Sequence, residues 1–126
     1  MKDKYKEWLK QADYDMETAD AMLRSGRYFY AIFMCHLSIE KALKGLYSKV
    51  SADIPPKTHN LLYLLDKIGK YPAPELKKFV VKLNTASVAT RYPDDLAKIQ
   101  EAFTRGITKN MISTSKEVLA WVKTEL

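Results

Sequence analysis

Residues 28–51 carry three interleaved helical lines, and nothing else in the chain constrains the fold as strongly. One line runs Phe29, Ile32, His36, Ile39, Leu43, Leu46 and Val50, in alternating steps of three and four. A second runs Ala31, Cys35, Ser38, Ala42 and Gly45, all small, which lets another helix backbone come close. The third runs Phe33, Leu37, Glu40, Lys44 and Tyr47. Steps of this kind place residues on one helical face. A helix that is apolar on more than one side must be surrounded by others. The pattern therefore predicts a central helix over 28–51 that anchors the core.

The remaining segments supply its neighbours. A first helix over 4–25 presents Tyr5, Trp8, Leu9, Ala12, Met16, Ala19 and Leu23 as one stripe. Asp13, Glu17 and Asp20 are expected on its solvated face, and Gly26 supplies the stop. Pro55 and Pro56 mark a loop, after which Thr58 is expected to cap a helix over roughly 59–69. Pro74, suited to a first helical position, opens a further helix to about residue 87. Then "ATRYPDDL" interrupts the helical pattern, because Pro93 lacks a backbone donor. Asp94 or Asp95 is expected to cap a last helix from about 95 to the end. No strand alternation occurs. The expectation is an all-α, antiparallel bundle of four to five helices. Two long helices come first, then two short middle helices and a long C-terminal one, in a single domain over 1–126.

Chemistry is sparse. The net charge of +6 is spread along the chain, so an anionic partner is permitted without being demanded. The single cysteine, Cys35, excludes an internal disulfide and a cysteine zinc cluster, and reads as a buried small hydrophobe. No Glu-x-x-His pair, glycine-rich phosphate loop or G-x-S-x-G is present. Accordingly no catalytic residue, metal site or cofactor is expected. With no apolar signal core and no membrane-length stretch, a cytoplasmic protein without membrane attachment is expected.

The polar residues that stand out fall into two groups. His36, Glu40 and Lys44 form a polar line within the apolar central helix and are expected at an interface or pocket wall. Glu40 and Lys44 also stand in the favourable order, four apart. Arg91, Tyr92, Asp94, His59 and Lys57 are the candidate anion contacts, with Thr58 beside them. Arg91 either pairs with Asp94 and Asp95 or is held by them for a phosphate, whose oxygens suit its planar fork. The excess of semi-apolar faces on the central helix also predicts a homodimer, the commonest closed assembly.

Five stretches in order, "WLKQADYDMETADAML", "GRYFYAIFMCHLSIEKALKGLY", "KTHNLLYLL", "RYPD" and the closing "EVLAWVKTEL", resemble the HEPN domain family of prokaryotes over nearly the whole chain. The resemblance implies an antiparallel helical bundle, usually a homodimer. It also implies a nucleotide- or nucleic-acid-binding module acting with a minimal nucleotidyltransferase, including in toxin–antitoxin pairs. Some members are metal-independent ribonucleases that carry Arg followed after four to six residues by His. Here Arg91 is followed by Tyr92, Pro93, Asp94, Asp95, Leu96 and Ala97, and the last histidine of the chain is His59. The ribonuclease mechanism is therefore not carried over, and no RNA cleavage by the chain alone is expected. The alternatives are a ribonuclease toxin with a degenerate site and a dimeric interaction protein without a ligand.

Overall fold

A computed structural model describes residues 4–126, and among these it is entirely helical. The helices are α1 (Lys4–Arg24), α2 (Tyr28–Ser51), α3 (Leu61–Ile68), α4 (Pro74–Arg91), α5 (Leu96–Ala102) and α6 (Arg105–Thr124). The two long helices come first, as the periodicity predicts, and α2 spans the expected 28–51.

α1 and α2 form an antiparallel hairpin around Gly26, whose φ of 78° is a conformation that favours glycine. Along their seam the small line of α2 does what its residues permit. Ser38 Oγ donates to the Ala12 carbonyl at 2.7 Å, fully buried. Gly45 lets α1 approach so closely that a Cβ there would stand 3.0 Å from Trp8 Cβ and 3.2 Å from the Tyr5 carbonyl oxygen. α6 runs antiparallel to α1 beside this pair. Its Lys116 and Lys123 reach Asp20 and Asp13 at 2.9 and 2.7 Å. Two of the α1 acids expected to face solvent are thus met by lysines of the same chain. On the other side of α2, α3 and α4 complete the enclosure. Ile32, Ile39, Leu43 and Leu46 are fully buried, together with Leu61, Leu64, Leu83 and Val122. The large apolar faces of α2 are covered by the chain itself, except toward its two ends, at the exposed Tyr30 and Val50. The uncovered apolar surface of α2 is therefore confined to its two ends.

Three boundaries differ from the sequence reading. α3 starts at Leu61, capped by Asn60 and not Thr58. Thr58 Oγ1 accepts from the Asn60 N–H at 3.1 Å, leaving Asn60 extended, and Asn60 Oδ1 accepts from the N–H groups of Leu62 and Tyr63. α4 is not short. It continues to Arg91, because Pro93 restricts the residue before it, Tyr92, and nothing earlier. Of the two expected caps, Asp94 or Asp95, it is Asp95 that caps α5, with its side chain accepting from the Lys98 N–H at 3.1 Å. The expected single last helix is broken at Phe103–Thr104. Thr104 Oγ1 accepts from the Ile107 N–H at 3.3 Å and starts α6 afresh, giving six helices where four to five were expected.

Candidate functional site

The site is built on the face of α2 opposite α1. His36 and Glu40 stand one turn apart there, 1% and 4% exposed. Glu40 is a buried carboxylate held from two directions. Its Oε2 accepts from Lys44 Nζ at 3.0 Å, and its Oε1 lies 2.9 Å from His59 Nδ1. With the carboxylate as acceptor, Nδ1 carries the proton, and His59 Nε2 has no partner among the described residues. The His59 side chain is 64% exposed, so this second nitrogen is presented outward.

α4 supplies the facing wall. Asn84 Oδ1 accepts from the Leu61 N–H at 3.0 Å, while its Nδ2 donates to Asn60 Oδ1 at 3.2 Å. These contacts fix which way the amide points. His36 Nε2 lies 3.4 Å from the same Oδ1, so Nε2 is its donor. Its Nδ1 then has no hydrogen-bond partner among the described residues, the Glu40 carboxylate oxygen being 3.9 Å away. Burial holds the His36 pKa below its ordinary 6.5, although the Asn84 hydrogen bond and the Glu40 charge act in the other direction. His36 is therefore a neutral ring supporting the wall. Burial also pushes the Cys35 thiol up to about 12, which makes it an unreactive core residue.

Between α4 and the entry to α3 lies a groove of about 410 Å³, lined by His59, Asn60, Asn84, Ser87, Val88, Arg91 and Tyr92. Arg91 closes α4, and its guanidinium carbon sits 5.1 Å from the centre of the Phe33 ring on α2. It forms no ion pair among the described residues. Neither expected arrangement with Asp94 and Asp95 occurs: Asp95 is spent on the α5 cap, and the cation rests on an aromatic face. A guanidinium on a ring keeps its N–H fork available for an anion.

Of the candidate anion contacts, the fold unites His59, Arg91 and Tyr92 on one groove. Lys57 and Asp94 are exposed and take no part in its walls. His36, Glu40 and Lys44 are neither at a free surface nor in the lining. They lie behind it, because α3 and α4 close over that side of α2. Asn60, Asn84, Ser87 and Val88 are lining residues that sequence reasoning missed. The available signal was spacing: Asn84, Ser87 or Val88, and Arg91 follow one another by three and four.

The comparisons agree with this architecture. The sequence matches the HEPN domain over residues 5–125. A crystal structure of TT1696 from Thermus thermophilus superposes with a TM-score of 0.81, at 26% identity over 100% of both chains. That of ST0689, an archaeal HEPN homologue, gives a TM-score of 0.75 at 28% identity over 95% of both chains. No curated protein matches the sequence significantly. With the family pattern covering almost every residue and the fold following it, the chain belongs to the HEPN domain family.

Proposed function

We propose that the protein is a HEPN module whose α3–α4 groove binds the phosphate of a nucleotide or of an RNA strand. The observation that carries this is Arg91: an arginine with no carboxylate partner among the described residues, stacked on Phe33 and sharing a groove with His59. Its fork suits two phosphate oxygens, and His59 Nε2 adds a second polar contact. Binding of a labelled single-stranded oligoribonucleotide and of a labelled nucleotide tests it. Arg91→Ala is expected to weaken binding roughly ten- to hundredfold, the loss of charge-assisted hydrogen bonds, with Arg91→Lys only partly restoring it. Wild-type affinity in both variants reduces "RYPDD" to a turn and a cap.

The protein acts, in this reading, with a minimal nucleotidyltransferase in a toxin–antitoxin-like pair, and as a homodimer. Support for the partnership is the family resemblance; co-purification with a minimal nucleotidyltransferase tests it. Support for the dimer is the exposed apolar surface at the α4–α5 corner, where Val88, Tyr92 and Leu96 are 72%, 81% and 58% exposed. Light scattering of wild type and of Val88→Asp tests that, the variant being expected to favour the monomer.

One observation favours a second reading, ribonuclease activity from a rearranged site. His59 oriented by the Glu40 carboxylate has the form of a general base. Its Nε2 would take the proton of a ribose 2′-hydroxyl. The 2′-oxygen would then bond to phosphorus as the P–O5′ bond breaks, and the leaving oxygen would need a proton of its own. His36 is buried and held neutral, so it does not serve as that acid. A site with one usable imidazole suits binding better than turnover. RNA cleavage that disappears in His59→Ala would make the second reading the better one.

A further inference from the structure

A second cavity lies at the other end of α2, where the α1–α2 turn meets the α5–α6 break. It measures about 580 Å³, inside the roughly 300–1,000 Å³ range of small-molecule sites. Two arginines from different segments face it, Arg27 ahead of α2 and Arg105 at the start of α6. Neither side chain has an ion-pair partner among the described residues, and no Asp or Glu lines the cavity. Its walls are otherwise largely aromatic and apolar, with Tyr28, Tyr30, Phe103 and Leu96. Tyr30 is a large apolar residue left 48% exposed beside this cavity, where a ring would cover it. Gln100 adds one side-chain amide to the lining.

We propose that this cavity is a separate binding site for a nucleoside phosphate. Two unpaired arginines suit a dianionic group, and a phosphate monoester carries close to two charges at neutral pH. Aromatic walls suit a planar ring, and stacking on them is indifferent to which base is present. The Gln100 amide offers a donor and an acceptor side by side, the pair needed for the edge of a base. The inference does not rest on the reading of the α3–α4 groove, which shares no lining residue with this cavity.

The ligand is either a free nucleotide or the 5′-phosphorylated end of an RNA, and the test has an arm for each. The full chain is titrated with fluorescently labelled ADP. Unlabelled ADP, adenosine, inorganic diphosphate and a short 5′-phosphorylated oligoribonucleotide then serve as competitors. ADP or the oligonucleotide is expected to compete at least tenfold better than either fragment, because ring and phosphate are held together. The stronger of the two identifies the source. Arg27→Gln with Arg105→Gln is expected to weaken, at least tenfold, the ADP titration read from the Gln100 and Phe103 amides, while Lys82→Gln, exposed and outside both linings, leaves it unchanged. Chemical-shift changes in the wild type are expected at Gln100 and Phe103, not at Asn84, which guards against a folding defect in the double variant. Unchanged affinity in the double variant overturns the proposal. So do ADP-induced shifts confined to the α3–α4 groove, or no saturable binding of any probe at millimolar concentration.

Discussion

The two sides of α2 use the same helix for opposite purposes. Toward α1 it is dry and close-packed: Ala31, Cys35, Ala42 and Gly45 admit a neighbouring backbone, and the one polar group, Ser38, is bonded to Ala12. Toward α3 and α4 it carries a histidine, a carboxylate and a lysine whose bonds end at a groove open to solvent. The first side fixes a geometry that the second depends on. Glu40 can orient His59 only because the backbone beneath it is held by contacts that leave no room for adjustment. The difference teaches where substitutions will be felt as stability and where as ligand affinity.

The largest effect is expected from Glu40→Ala. It leaves Lys44 without its buried counter-charge and frees His59, at a cost of about 3–5 kcal/mol, the usual penalty for breaking a buried pair. Denaturant unfolding measures it; a loss below about 1 kcal/mol would show that Lys44 escapes to water easily. Gly45→Val strikes the dry side. Its added carbons meet Trp8 and the Tyr5 carbonyl, and overpacking of this kind costs about 1–3 kcal/mol. Ligand affinity in the folded fraction is expected to stay as in the wild type. A parallel fall in affinity would mean the two sides are more tightly coupled than their contacts suggest.

A third test uses acid. Burial lowers the affinity of folded His36 for a proton, while the unfolded chain takes that proton near the ordinary 6.5. The stability tied to the neutral ring is therefore complete above about pH 6.5. It is lost as pH falls below that value, by at most about 1.4 kcal/mol per pH unit until the folded ring titrates. His36→Gln is expected to flatten this part of the stability–pH curve. Identical acid limbs in the two proteins would assign the loss to other groups. The smallest stability effect belongs to Arg91→Ala. It removes only a cation–π contact worth about 0.5–1 kcal/mol, so the melting temperature barely moves while binding falls. A large drop in melting temperature would make Arg91 a structural residue.

Legibility in the sequence followed the same division. The extent of α2 was readable because seven residues, from Phe29 to Val50, keep a strict helical period, and burial of that kind leaves a periodic trace. The break at Phe103–Thr104 was not. Thr104 lies within an apolar pattern that continues through Ile107, and a cap made by one hydroxyl leaves the period intact. Thr58 was a reasonable cap by type, but Asn60 prevails, because its side chain can bond two helix N–H groups and the α4 amide together. In the site, Arg91, Tyr92 and His59 were legible as residue types gathered near helix ends. Asn84 was not, since a mid-helix asparagine usually faces water. Its partners, Asn60 and His36, stand 24 and 48 residues away, a separation that local spacing does not report.

Asn84 has a kinetic consequence as well. One amide accepts the Leu61 N–H and donates to the side chain that caps α3. The first turn of α3 therefore cannot fray while α4 keeps its place, and the two must open as one cooperative unit. In hydrogen-exchange terms, the Leu61 amide should be protected well beyond what the start of an eight-residue helix would show alone. Its exchange should also slow further when the groove is filled. A single backbone proton thus becomes a clock for occupancy of the site.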